Sequence, residues 1–127
     1  MIVVTGGAGF IGSNFVLDWL AQSSEGVVTL DKLTYAGNAA NLASLADDPR
    51  HHWVQGDIAD TALWSELLAR HRPRAVINFA AESHVDRSIL GPGAFVQTNI
   101  VGTFQMLEAL RQYWSGLPAQ EAAAFRL

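Results

Sequence analysis

The sequence predicts an α/β fold: a parallel β-sheet with helices on both faces. Two observations carry this. Short runs of continuous apolar, β-branched residues alternate with segments of helical periodicity. The first run ends in a glycine-rich turn that opens directly into a helix. Composition agrees. The 127 residues are 50% hydrophobic and 16% charged, and this length suits one domain.

The elements read as follows. Ile2–Thr5 is continuous and β-branched, as a strand buried on both faces requires, and Gly6-Gly7 bounds it. Phe10, Ile11, Phe15, Val16, Trp19 and Leu20 recur at helical spacing, so a helix spans Phe10 to Gln22. Val27–Leu30 is a second buried strand ending at Asp31, and Thr34–Asn38 is a loop. Ala39–Leu45 is a short helix and His52–Gln55 a third strand. Asp60 is placed to cap a helix over Thr61–His71 that Arg72-Pro73 ends. Ala75–Ala81 is the fourth strand, and the polar stretch Glu82–Gly91 reads as a loop. Pro92 and Gly93 open a long helix to about Tyr113, with Phe95, Ile100, Phe104, Leu107 and Leu110 on its buried side. Phe125-Arg126-Leu127 has the character of an interrupted strand.

Strands alternating with helices imply right-handed crossovers. With the glycine turn after the first strand, the order becomes 3-2-1-4, the opening part of a Rossmann-type sheet truncated after about four strands. An uncovered outer edge on the fourth strand would invite pairing.

Charge and composition exclude several classes. Eight basic and twelve acidic residues give a net charge of −4, and no basic stripe exists for nucleic acid. No apolar run approaches the ~20 residues of a membrane span. There is no cysteine, so disulfides and thiolate metal sites are excluded. Without a signal-peptide pattern, the expected location is the cytoplasm. His51 and His52 are adjacent on a strand, so they point to opposite faces and lack a third metal ligand.

The chemistry concentrates around Gly6, Gly9 and Gly12, spaced G-x-x-G-x-x-G. Glycine there lets backbone N–H groups approach a pyrophosphate, and the helix N-terminus behind it adds partial positive charge. Asp31 lies 19 residues beyond Gly12, where an acceptor for the adenosine ribose hydroxyls belongs. Its carboxylate would repel a 2′-phosphate and so favour NAD over NADP, a preference that the neighbouring Lys32 tempers. Asp57 could accept from the adenine amino group with Ile58 against the ring. From local sequence alone, a solvated aspartate in a helix-entry turn suits the position better. Phe79-Ala80-Ala81 brings small residues to the end of the fourth strand, fitting a passing dinucleotide backbone or simple core packing.

At these residues the sequence resembles the extended short-chain dehydrogenase/reductase family of nucleotide-sugar enzymes. Asp31-Lys32-Leu33-Thr34-Tyr35-Ala36-Gly37-Asn38, Ala80 through Ile89 and Thr98 through Thr103 narrow the resemblance to its 4,6-dehydratases. The resemblance implies NAD as cofactor, a nucleotide sugar as substrate and a homodimer. It implies that Phe10 and Ile11 meet the cofactor phosphates, and that Asp31, Lys32, Leu33 and Thr34 surround the ribose. Asp57 and Ile58 would hold adenine. Phe79, Ala80, Ala81, Glu82 and Ser83 would line the nicotinamide side with Thr98 nearby. Ser83 and His84 would meet the sugar nucleotide.

The family's reaction also needs a tyrosine with a lysine four residues later, which lowers the tyrosine pKa for proton transfer. Tyr35 and Tyr113 are followed at that distance by Ala39 and Leu117, and Lys32 is the only lysine. The family's Thr-Asp-Glu run and sugar-binding C-terminal part are not in this sequence either. The expectation is an incomplete NAD-binding domain over residues 1–127, inactive alone. Two rival readings are the corresponding part of another nucleotide-sugar epimerase or dehydratase, and a free-standing dinucleotide-binding or self-association module.

Overall fold

The computed structural model describes residues 1–127. Four strands, β1 (Ile2–Thr5), β2 (Val27–Asp31), β3 (His51–Gln55) and β4 (Ala75–Asn78), form one parallel sheet in the order β3-β2-β1-β4. The helices are α1 (Phe10–Gln22), α2 (Thr61–His71), α3 (Val85–Leu90), α4 (Pro92–Phe95), α5 (Thr103–Ser115) and α6 (Ala119–Ala124). A 3₁₀ helix covers Ala39–Leu45, and a π-helical stretch, Val96–Gly102, joins α4 to α5.

β1 and β2 are fully buried because both sheet faces are covered. On one face Val3, Val28, Leu30 and Val76 pack with Trp64 and Leu67 of α2 and Met106 and Leu110 of α5. On the other, Ile2, Val4 and Val27 pack with Val16 and Leu20 of α1 and with Leu42 and Leu45. This explains why these strands read as continuous apolar runs instead of alternating ones. Trp64 is fully buried, and its indole N–H donates to the Ile58 carbonyl at 2.9 Å. That bond fixes the chain where β3 leads into α2.

The helix boundaries have local causes. Asp60 caps α2, its side chain accepting from the Leu63 N–H, and Arg72 ends it in the left-handed region at φ 43°. Before β3, Arg50 fastens its turn to the end of α1. Its guanidinium donates to both Asp48 carboxylate oxygens and to the Leu20 and Ser23 carbonyls.

Three differences from the sequence reading are informative. β4 stops at Asn78, not Ala81, because its partner β1 ends at Thr5 and the chain turns away at Gly6. The last rung is the Phe79 N–H to the Thr5 carbonyl at 3.0 Å. Within Glu82–Gly91, Val85–Leu90 is helical and has no buried residue, so no apolar face announced it. In the long helical stretch the buried side is Gly102, Met106 and Leu110. Ile100, Phe104 and Leu107 are exposed, contrary to the simple periodicity. Phe104, Leu107 and Leu110 all lie in α5, and only the face carrying Met106 and Leu110 packs against α2 and the sheet. At the other end of the chain, Arg126 makes a parallel bridge to Ala75, on the side of β4 away from β1.

The Asp48–Arg50 contact sets a pH dependence. Arg50's hydrogen bonds hold the Asp48 carboxyl down from 3.8 to about 2. A depressed folded-state pKa contributes stability above the unfolded value and loses it as pH falls. Urea-denaturation midpoints should therefore drop between pH 3.8 and about 2, and Asp48→Asn should make that drop shallower. An unchanged drop in the variant would show that this contact does not couple to folding.

Candidate functional site

The C-terminal ends of all four strands point to one side, where the loops leaving them enclose a cleft of about 330 Å³. Such a crevice at the carboxyl ends, where the connections reverse direction between β1 and β4, is the usual ligand position in open α/β sheets.

Its floor is the glycine turn after β1. Gly6 has φ +66°, and a Cβ there would lie 2.6 Å from the Ala80 nitrogen. A Cβ on Gly12 would lie 2.2 Å from the Gly6 carbonyl oxygen. The third glycine of the motif thus permits close approach of α1 to the turn itself. The first residues of α1 leave the N–H groups of Phe10, Ile11 and Gly12 without an acceptor, since the first helical bond is Ser13 N–H to the Gly9 carbonyl. No side chain caps this helix and its first turn holds no acidic residue. Phe10 and Ile11 are 83% and 66% exposed, open to the cleft they line. An uncapped N-terminus behind a turn too tight for side chains fits an anionic group such as a dinucleotide pyrophosphate.

Asp31 is the anchor of the cleft. Although buried to 9% exposure, its carboxylate accepts from the Ala8 N–H at 2.9 Å and from the Leu33 N–H at 2.8 Å. One oxygen thereby holds the glycine turn, and the other holds Leu33 in the left-handed region at φ 56°. The chain then folds back: the Asn38 N–H and the Asn41 side-chain amide both donate to the Ala8 carbonyl. Gly37 sits so close that a Cβ would lie 2.8 Å from an Asp31 oxygen.

Beyond β3, Asp57 accepts from the Ala59 N–H and pairs with the Lys32 ammonium at 2.6 Å. Burial pushes its carboxyl up, but Lys32 and the Ala59 N–H outweigh this and leave it below the usual value. At the end of β4, Asn78 accepts from the Thr5 hydroxyl and from the Ala80 N–H, bending the chain over the glycine turn. Asn99 then grips the Glu82 backbone at both its N–H and its carbonyl, each at 2.8 Å.

The cleft brings together Gly6, Gly9, Phe10, Ile11, Gly12, Asp31, Lys32, Thr34, Asp57, Ile58, Phe79, Ala80, Ala81, Glu82, Ser83 and Thr98. Two residues singled out in the sequence are elsewhere. Leu33 contributes its backbone to the Asp31 contact, and His84 packs edge-on against Tyr35 with ring centroids 6.1 Å apart. The lining also includes Leu30, Ala36, Gly37 and Gly56, which sequence reasoning passed over. Gly56 directly follows β3, and that position was the available signal. His52 and His71 lie with ring centroids 5.2 Å apart and planes tilted by 42°, and no group of three metal-binding side chains exists.

The parallel order, the glycine turn and the acidic end of β2 define a Rossmann-type domain of the short-chain dehydrogenase/reductase kind. The chain belongs to the family described as GDP-mannose 4,6 dehydratase, whose sequence model matches residues 3–125. It is 60% identical over 124 residues to the dTDP-glucose 4,6-dehydratase of Xanthomonas campestris pv. campestris, strain B100. That match covers 98% of this chain and 35% of the relative, so the chain spans about a third of the relative's length. Among solved structures, a dTDP-glucose 4,6-dehydratase from Streptomyces venezuelae, crystallised with NAD, superposes with a TM-score of 0.84 at 48% identity. The superposition covers 88% of this chain and 36% of that one. A UDP-glucose 4-epimerase from Stenotrophomonas maltophila with bound NAD gives 0.80 at 32% identity, covering 88% and 33%.

Gly6→Ala should be costly for two independent reasons, the positive φ and the Ala80 backbone. Thermal unfolding should register a loss of about 2 kcal/mol or more. A variant as stable as the parent would mean that the turn can relax without glycine.

Proposed function

We propose that this chain forms the NAD-binding part of a dTDP-glucose 4,6-dehydratase, whose reaction converts dTDP-glucose to dTDP-4-keto-6-deoxy-glucose and water. The observation that carries the reading is Asp31, held at the cleft by two backbone N–H groups beside a glycine turn. Each carboxylate oxygen retains acceptor capacity for a ribose hydroxyl. The negative charge there disfavours a 2′-phosphate, and Lys32 is drawn to Asp57, which leaves that disfavour uncompensated.

In this reading the free N–H groups of Phe10 and Ile11 receive the pyrophosphate. Asp31 and Thr34 flank the adenosine ribose, with the Leu33 backbone supporting Asp31. Ile58 packs against adenine, and Asp57, already paired with Lys32, shapes that end of the cleft. Phe79, Ala80, Ala81, Glu82, Ser83 and Thr98 lie on the nicotinamide side, with Ser83 and His84 toward the sugar. When bound, NAD would supply the hydride chemistry for the proposed oxidation at C4 and reduction at C6 of the sugar. The residues of this chain hold and orient; none is a tyrosine followed four residues later by lysine. The chain alone is therefore proposed to be inactive.

One exposed apolar stripe supports a homodimer. Val96, Ile100, Phe104 and Leu107 are 49%, 62%, 62% and 42% exposed along the helical stretch. Their spacing makes one apolar stripe suited to a second copy. No helix is long and apolar enough to cross a membrane, and a cytoplasmic location is proposed with this metabolic role.

Calorimetric titration tests the cofactor assignment. NAD should bind more tightly than NADP. Asp31→Asn should weaken NAD by about tenfold or more, the effect of a lost hydrogen bond to a charged group. Equal affinity for NAD, NADP and the variant would remove Asp31 from the site. In a separate assay, the 127-residue chain supplied with NAD and dTDP-glucose should form no keto-sugar by chromatography. Turnover above a protein-free control would refute the proposed division of labour.

A further inference from the structure

The cleft has a second boundary that its cofactor-lining residues do not explain. Tyr35 lies in the loop after β2, and its hydroxyl donates to the Glu82 carboxylate at 3.0 Å. Glu82 lies in the segment after β4. In the sheet, β2 and β4 are the two neighbours of β1. The glycine turn leaving β1 is held on one flank by Asp31 and Asn41, and abuts Ala80 on the other. A bond between excursions from β2 and β4 therefore spans the two flanks of the turn.

Both ends of this link are braced. The Arg87 guanidinium of α3 lies 3.7 Å from the centre of the Tyr35 ring, a cation–π contact that fixes the ring from behind. The His84 ring meets the same tyrosine edge-on. Glu82 cannot drift because Asn99 holds its N–H and its carbonyl. Thr34 and Glu82 line the cofactor cleft on one side of the link. On the other side they line a second recess with Tyr35, Arg87, Ala94 and Phe95. The link is thus a partition with space on both sides.

We propose that Tyr35 is a positioning residue: through Glu82 it straps the phosphate turn, so that a dinucleotide bound beneath is retained until the strap opens. The inference rests on the cofactor reading above. The strap's chemistry suits opening. It is one solvent-exposed hydrogen bond and one exposed cation–π contact, each individually weak. It acts on ligands that extend past the turn toward Phe79–Ser83. A ligand confined to the adenosine half, such as AMP, meets the strap only at its Thr34 end and lacks the part that passes Glu82.

Rapid filtration of the purified protein loaded with radiolabelled NAD or AMP, chased with unlabelled ligand, separates these cases. Tyr35→Phe removes the hydroxyl and keeps the ring under Arg87. It should release NAD about three- to tenfold faster and AMP by a clearly smaller factor. NAD release from Tyr35→Phe at the parental rate would overturn the strap. Equal acceleration of NAD and AMP would overturn it too, because general loosening of the site moves both. A parent protein that retains neither ligand refutes the cofactor reading itself and takes the strap with it. A parent that retains both leaves that reading standing whichever way Tyr35→Phe falls.

Discussion

A carboxylate placed under a backbone turn organises this molecule. Asp31 accepts from Ala8 on the glycine turn and from Leu33 on its own loop. Burying a charged group costs several kcal/mol unless hydrogen bonds compensate, and here two backbone donors do. The same two bonds settle where the loops after β1 and β2 lie. Without them, the left-handed turn at Leu33 and the fold-back of Asn38 and Asn41 onto Ala8 lose their common anchor. A residue read from sequence as a ligand contact is also the structural pin of the site.

The sheet supplies the rest of the constraint. Parallel strands bring four loops to one edge, and the reversal between β1 and β4 opens the space between them. Glycines at Gly6 and Gly12 let the turn, α1 and the Ala80 backbone meet at distances no side chain would allow. The helix N-terminus so exposed carries free N–H groups and no competing carboxylate. Charge and geometry there suit an anionic group, the basis of the proposed pyrophosphate position.

Much of this was legible in the sequence because the signals were local. Continuous apolar runs marked β1 and β2, Asp60 marked the start of α2, and the glycine spacing with Asp31 marked the cleft. The less legible features depend on contacts between distant residues. β4 ends where β1 ends, which Phe79-Ala80-Ala81 cannot reveal. α3 buries nothing, so its apolar Val85, Ile89 and Leu90 carried no pattern tied to a core. Ile100 and Phe104 lie on an apolar face turned away from α2 and the sheet, and periodicity alone does not say which of two apolar faces is covered. The pairings of Lys32 with Asp57 and Tyr35 with Glu82 join residues 25 and 47 positions apart.

The central claim is that one cleft, pinned by Asp31, receives the dinucleotide. Backbone amide resonances followed by NMR during NAD addition test it most directly. The largest shifts should fall on Ala8, Phe10, Ile11 and Leu33, whose N–H groups either contact the ligand or share Asp31 with it, followed by Ile58 and Ala80. Shifts centred on the recess beside Ala94 and Phe95, or spread without regard to the strand ends, would contradict the account.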